Sequence, residues 1–153
     1  MNSTRRFKLI AQGVLLAFGA TSAAVAVAAE TQKVDVYKSP TCGCCTLWVD
    51  HMKQAGFRVE AHDANNVAPY RQRFGVPDSM ASCHTAVVGG YAIEGHVPAV
   101  DIKRLLREKP KAAGIAVPGM VQGSPGMEQG SGKDPYKTML FTKDGRSTIF
   151  ASH

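Results

Sequence analysis

Apolar and polar residues alternate in some segments of the chain and recur at helical spacing in others, which predicts a mixed α/β fold. Residues 33–39 alternate and end before Pro40, which is typical of a strand. The next segment has apolar residues at helical spacing and ends at Gly56, so it predicts a helix. Alternation returns in residues 57–63. These three elements predict a βαβ unit.

A second group of elements follows a short helix predicted at residues 67–74. Residues 85–88 and 91–94 have the composition of two strands, and the two glycines between them permit the tight turn of a hairpin. Residues 98–110 begin and end with proline and predict a helix. Its apolar side is predicted to consist of Val100, Ile102, Leu105 and Leu106. A βαβ unit followed by ββα is the order of a thioredoxin-like fold.

The composition changes after this helix. Residues 114–132 contain six glycines and two prolines, which predicts an irregular segment. A segment of this length without regular structure is typically functional or disordered. The sequence Pro-Gly-Met occurs in it twice, at residues 118–120 and 125–127, and we call these the first and second PGM motifs. Two strand-like runs around Asp144 and Gly145 then predict a C-terminal hairpin.

The first 29 residues have the pattern of an export signal. Arg5, Arg6 and Lys8 precede an apolar run that ends in small residues. That run is too short to remain in a bilayer as a stable anchor. We therefore predict a signal peptide at residues 1–29 that is removed, a single domain at residues 30–153, and a periplasmic location.

The charge of the chain does not indicate a charged partner. The chain has 18 Lys and Arg and 12 Asp and Glu, for a net charge of +6. Three of the basic residues belong to the predicted signal peptide, so its removal lowers the net charge to +3. Charges of both signs are interspersed in residues 103–111, as on a solvated helix face. This pattern argues against nucleic-acid binding.

The cysteines carry the strongest chemical signal. Cys42 and Cys45 have C-x-x-C spacing at a predicted helix start, where the helix dipole favours a thiolate. Cys44 adds a third sulfur, and Cys83 lies just before the third strand, so all four sulfurs are expected to converge. The residues allow structural disulfides, a tetrahedral zinc site, or Cu(I) or Ag(I) held by adjacent soft thiolates.

Two types of side chain add candidate ligands to the cysteines. Met120 and Met127 of the PGM motifs offer soft, uncharged thioethers. His84 and His96 offer imidazole nitrogens to Cu(II) or to the edge of a copper cluster. Core, structural or exposed roles without a metal are predicted for His51, His62, Trp48, Met80 and Met139.

Three stretches of the chain resemble the CopG-type family of periplasmic copper and silver resistance proteins: YKSPTCGCCTLWVDHMKQAGF, GVPDSMASCHTAVVGGYAIEGHVPA and GIAVPGMVQGSPGME. The resemblance extends from about Val34 to Phe150. It implies a thioredoxin-like fold, copper binding by the cysteines, and interconversion of Cu(I) and Cu(II) outside the cytoplasm. Carried over residue by residue, it implies the ligands Cys42, Cys44, Cys45, Cys83, Met120 and Met127. True thioredoxins have a cis-proline where this chain has Cys-His-Thr, which argues against general disulfide exchange with proteins.

Together these features predict a periplasmic copper-binding protein in which Cys42 and Cys45 form a redox-active pair. The metal is Cu(I), with Cu(II) as its oxidised form and silver as an alternative. The expected partners are metal ions and other periplasmic copper-resistance proteins. Three alternatives remain open: a copper buffer or chaperone without turnover, a thiol-disulfide oxidoreductase acting on proteins, and a structural zinc protein. Whether the protein is an enzyme is left open, with copper oxidoreductase as the candidate activity.

Overall fold

A seven-stranded mixed sheet organises residues 31–128 and 130–153, the part of the chain that the computed structural model describes. The predicted signal peptide lies outside these residues. The strands are β1 (Lys33–Lys38), β2 (Arg58–Asp63), β3 (His84–Val88), β4 (Tyr91–Glu94), β5 (Gly114–Ala116), β6 (Lys137–Phe141) and β7 (Ser147–Ser152). The helices are α1 (Gly43–Gln54), α2 (Ala68–Arg73) and α3 (Ala99–Glu108), with a 3-10 turn at Asp78–Met80. None of these described helices is long and apolar enough to span a membrane.

The strands are arranged in the order β2-β1-β3-β4-β5-β6-β7. β1 and β2 are parallel, and β3 is antiparallel to both β1 and β4. The predicted α/β class, the order βαβ then ββα, and the C-terminal β6–β7 hairpin are confirmed. In the β1–β3 register Lys38 pairs with His84. This register places the chain entering α1 beside Cys83, which directly precedes β3.

The core lies between the sheet and the helices α1 and α3. Val34 and Val36 of β1 are fully buried, and Trp48 of α1 is buried with them. The Trp48 indole donates a hydrogen bond to the Val97 carbonyl at 2.9 Å, so its polar atom is satisfied inside the core. Burial of a large apolar side chain of this kind contributes about 1.5–3 kcal/mol. The predicted core role of Trp48 is confirmed.

The buried side of α3 differs from the prediction. Val100 is 66% exposed, whereas Asp101 is only 3% exposed. Ile102 and Leu105 are fully buried as predicted, and Leu106 packs partly buried against the core, whereas Ala99 is buried where Val100 was expected. The Asp101 carboxylate is tolerated in the interior because it accepts a hydrogen bond from the Thr138 hydroxyl at 2.6 Å. Tertiary hydrogen bonding therefore decides which residues of α3 face the core.

The segment predicted to be irregular begins with a strand. β5 pairs in parallel with β4, and Gly114 lies opposite Ala92. A side chain at residue 114 would collide with the Ala92 carbonyl. Glycine is needed at this position because β4 and β5 approach closely. Gly114 therefore belongs to a strand, although the glycine content of the segment predicted a loop. The remainder of the segment is irregular, as predicted.

A histidine from α1 caps the start of α3. The N-terminal residue before α3 is Pro98, whose side chain offers no capping hydrogen bond. His51 fills this role, because its Nε2 accepts a hydrogen bond from the Ala99 backbone N–H at 3.1 Å. Burial lowers the pKa of His51, which keeps the ring neutral and able to accept. The predicted structural role of His51 is consistent with this contact.

The substitution His51→Ala should lower the free energy of unfolding by about 1 kcal/mol at pH 7.5, because a buried N–H loses its acceptor. Urea denaturation measures this difference. The unfolded state takes up the proton first, so the loss should shrink as the pH falls below about 6.5. The control is Lys53→Ala, at a 55% exposed position on the same helix. An equal loss in the control, or a His51 effect that grows in acid, would contradict the capping role.

Candidate metal centre

The turn between β1 and α1 brings two cysteines together. Pro40 follows β1, and the Cys42 N–H bonds the Ser39 carbonyl at 3.1 Å. Cys42 then caps α1, where its sulfur accepts the N–H of Cys45 at 3.3 Å. Cys42 and Cys45 form a disulfide in this structure, with their Cα atoms 5.3 Å apart. Cys45 is fully buried, whereas Cys42 is partly exposed.

The other two cysteines are free thiols beside this disulfide. Cys44 Sγ lies 3.5 Å from Cys42 Sγ. Cys83 reaches the same place from the start of β3, and the four sulfur atoms all lie within 4.8 Å of one another. Burial raises the pKa of the Cys83 thiol to about 12, and the neighbouring Cys44 adds to this rise. A metal ion must therefore displace the Cys83 proton in order to bind there.

His96 is held against Cys83 with a defined tautomer. Its Nδ1 lies 2.8 Å from the Pro125 carbonyl, which only accepts, so Nδ1 carries the proton and donates it. Nε2 is then unprotonated and lies 3.0 Å from Cys83 Sγ. Burial lowers the pKa of His96, which favours this neutral form. A neutral imidazole with its other nitrogen bonded to a carbonyl is the form in which histidine binds metals.

His84 is a second histidine beside Cys83, and it is fully buried. Its Nδ1 lies 3.4 Å from Cys83 Sγ, and its ring packs on Trp48 with centroids 4.4 Å apart. Within the described residues its Nε2 has no hydrogen-bond partner. Burial lowers the pKa of His84 to about 3, so the ring is neutral. The ligand atoms of Cys83, His84 and His96 also lie within 4.8 Å of one another, and Cys83 is common to both groups.

The two PGM motifs contact different segments next to the cysteines. The second motif packs on α1, since a Cβ atom on Gly126 would lie 2.7 Å from the Cys44 carbonyl oxygen and 2.8 Å from Trp48 N. The first motif is fixed beside Cys83, because Gly119 N–H donates to the Ala81 carbonyl at 3.1 Å. The segment is therefore packed next to the cysteines at both motifs.

The methionines of these motifs remain predicted ligands. Met120 is 55% exposed and Met127 is partly buried. The methionines expected to be hydrophobic plugs have that role: Met80 is 7% exposed, and Met139 is partly buried against the same apolar cluster.

A further group of ligand-type side chains lies on β1 and β2, away from the cysteines. Asp35, Glu60 and His62 have their ligand atoms within 4.8 Å of one another. The Lys33 ammonium already lies between the two carboxylates, at 2.9 Å from Asp35 and 2.8 Å from Glu60. His62 bonds Asp35 at 2.9 Å. This group is satisfied as a surface ion-pair cluster, in agreement with the structural or exposed role predicted for His62.

Comparison with known proteins adds to this geometry. A family model described as "Protein of unknown function, DUF411" matches residues 80–127. The solved structure titled "Copper resistance protein copG- Form 2" is 44% identical, with a TM-score of 0.77, and the match covers 81% of this chain and 99% of that chain. Form 1 is also 44% identical, with a TM-score of 0.76, and 81% and 98% of the two chains are covered. No curated protein matches the chain significantly.

The chain belongs to the CopG family of copper resistance proteins. The identity extends over nearly the full length of the CopG structures, so the fold and the family are shared, and the predicted family is confirmed. In this CopG-family chain, the sequence predicted that the four cysteines lie together. It did not predict that the Pro125 carbonyl orients His96, because a backbone acceptor far along the chain leaves no pattern in the sequence.

The substitution Gly126→Ala should destabilise the metal-free protein by about 2 kcal/mol or more, because the new Cβ meets the backbone of α1. Its matched control is Gly119→Ala in the first PGM motif. Both glycines have a positive φ, +84° and +73°, but a Cβ on Gly119 meets no atom of the described residues within 4 Å. The control should therefore lose only the strain of the left-handed conformation, about 1 kcal/mol. Urea denaturation of both variants measures the difference, and equal losses would contradict the packing of the second motif on α1.

Proposed function

We propose that this protein binds copper as Cu(I) through Cys42, Cys44, Cys45 and Cys83, and that the Cys42–Cys45 pair interconverts Cu(I) and Cu(II). The observation that carries the proposal is the convergence of four sulfur atoms within 4.8 Å, with two of them already close enough for a disulfide. The family relationship to copper resistance proteins supports copper as the metal.

The donor set favours a soft monovalent ion. Thiolates bind Cu(I) and Ag(I) strongly because these ions are soft. Three of the sulfurs come from one turn of chain and the fourth from the start of β3, so a thiolate-bridged site is expected rather than the two separated C-x-x-C pairs typical of zinc. His96, with its unprotonated nitrogen 3.0 Å from Cys83 Sγ, and His84 are proposed as additional ligands. Met120 and Met127 are proposed to transfer the ion at the edge of the site.

The cysteine pair supplies a balanced redox step. When the Cys42 and Cys45 thiols form their disulfide, they release two protons and two electrons. Two bound Cu(II) ions take one electron each and become two Cu(I) ions. In the reverse direction, two Cu(I) ions return two electrons to the disulfide, which takes up two protons. The free energy of either direction depends on the reduction potential of the disulfide relative to that of the bound copper, and about 30 mV in this two-electron couple corresponds to about 1.4 kcal/mol.

The proposed location is the periplasm, after removal of residues 1–29. An exported protein meets Cu(II) and oxidising conditions, in which a disulfide and free thiols can both take part in chemistry. Metal ions are the proposed substrates, and other periplasmic copper-resistance proteins are the proposed donors or acceptors.

Anaerobic titration of the reduced, metal-free protein with Cu(II) tests the redox step. Cu(I) formation is followed with a chromogenic chelator, and free thiols are counted at each addition. We expect about two Cu(I) ions for every two thiols lost, as the stoichiometry of a dithiol requires. Copper that remains Cu(II), or thiols that remain free, would contradict the redox step.

The variant Cys83→Ser separates the redox pair from the binding site. It keeps Cys42 and Cys45, so it should still consume two thiols for two Cu(I) ions. It loses one sulfur ligand, so Cu(I) should pass to a competing chelator at a lower chelator concentration than in the wild type. If both proteins bind added Cu(I) tightly but neither reduces Cu(II), the protein is a copper buffer or chaperone.

A further inference from the structure

Glu94 is a fully buried carboxylate at the end of β4, next to the cysteine centre but not part of it. One of its oxygens accepts the Ser82 backbone N–H at 2.7 Å and the Arg71 Nε–H at 3.0 Å. The other accepts the Thr85 hydroxyl at 2.6 Å. Both carboxylate oxygens therefore accept hydrogen bonds, and all three donors lie outside β4.

These bonds hold the chain on both sides of Cys83. Ser82 precedes Cys83, and Thr85 follows it by two residues. Arg71 Nη2 also donates to the Ser82 carbonyl at 2.8 Å, so both backbone polar groups of Ser82 are fixed by the Arg71–Glu94 pair. The Ser82 carbonyl belongs to the peptide unit that leads into Cys83. The orientation of that peptide sets the direction from which the Cys83 sulfur approaches the other cysteines.

The same network reaches the first PGM motif. The Ser82 hydroxyl donates a short hydrogen bond to the Gly119 carbonyl. A Cβ on Gly95, the residue after Glu94, would lie 2.6 Å from Ser82 Cβ and 2.6 Å from the Val117 carbonyl oxygen. Ser82 is therefore held between the end of β4 and the motif that carries Met120.

General stability is a weak explanation for this arrangement. Glu94 and Arg71 are 0% and 14% exposed, and a buried ion pair contributes little net stability because both charges lose their hydration. Such pairs are retained in some proteins because they fix one geometry. Here the fixed geometry is that of the peptide before Cys83, and residues that orient metal ligands commonly alter metal affinity when replaced.

We propose that Glu94, with Arg71, is a positioning residue that fixes Cys83 in reach of Cys42, Cys44 and Cys45. The proposal rests on the proposed copper binding for its effect on affinity, but its structural content is independent of copper. Glu94 contacts no metal-ligand side chain by a hydrogen bond and acts through the backbone of Ser82.

The first test measures Cu(I) affinity by competition with a chromogenic chelator. Glu94→Ala should bind Cu(I) about 10–100-fold more weakly, the range typical for the loss of a residue that orients a metal ligand. Glu94→Gln should stay within about 3-fold of wild type, because its amide oxygen still accepts from Ser82 and Arg71. If Glu94→Ala fails to fold, Arg71→Lys replaces it. A lysine donates from a single nitrogen and does not reproduce the fixed geometry in which Nε and Nη2 bond Glu94 and the Ser82 carbonyl, so a weaker affinity is again expected.

The matched control is Asp101→Ala. Asp101 is also a buried carboxylate that accepts a threonine hydroxyl at 2.6 Å, but it lies on α3 and bonds Thr138 and His153 instead of the Cys83 segment. Its removal should lower thermal stability but leave Cu(I) affinity unchanged. An equal loss of affinity in Asp101→Ala, or an unchanged affinity in the Glu94→Ala or Arg71→Lys variant tested, would overturn the proposal.

A second test needs no copper. In the double variant Cys42→Ser/Cys45→Ser the remaining thiols are Cys44 and Cys83. Diamide should join them in a disulfide by taking up their two electrons and two protons. Adding Glu94→Ala should slow this reaction about 10-fold or more, as expected when a sulfur is no longer held in place, and adding Glu94→Gln should not. A parent variant that forms no Cys44–Cys83 bond, or an unchanged rate with Glu94→Ala, would overturn the positioning role. If Glu94→Ala slows disulfide formation but the wild type binds no copper, the positioning role stands and only the proposed copper function is wrong.

Discussion

The pairing of β1 with β3 is the constraint on which the cysteine centre depends. Lys38 is registered with His84, so the chain that leaves β1 towards α1 lies beside the residue that precedes β3. Three sulfurs of the centre are close together in sequence, but the fourth is nearly forty residues away, and this register brings its segment next to theirs. A shift of one residue in this pairing would turn His84 to the other face of the sheet and move Cys83 away from the other cysteines.

The interior around the centre contains several polar side chains. His84, His96, Glu94 and Thr85 are all buried. Each buried polar group costs free energy unless it is paired, and most of these groups are paired with another segment of the chain. His84 Nε2 is the exception among the described residues. The polar interior therefore links β3, β4, α2 and the PGM segment into one support for a single sulfur, Cys83.

The Gly/Pro-rich segment packs against the centre through its backbone. Gly126 lies on the first turns of α1, and the Pro125 carbonyl accepts a hydrogen bond from His96 Nδ1–H. Glycine permits the close approach of the segment to α1, and a backbone carbonyl sets the tautomer of His96. Packing through the backbone does not require the Met120 side chain, which is 55% exposed.

The sequence was enough to predict the βαβ and ββα order, both hairpins and the cluster of cysteines at the start of α1, because these depend on local periodicity, turn residues and spacing. It did not determine that Val100 faces solvent and Asp101 the interior, nor that Gly114 belongs to a strand. It also gave no sign of the Arg71–Glu94 pair or of the contact between His96 and Pro125. Each of these features depends on a partner that is distant in the chain, and no local pattern encodes the distance or the direction of that partner.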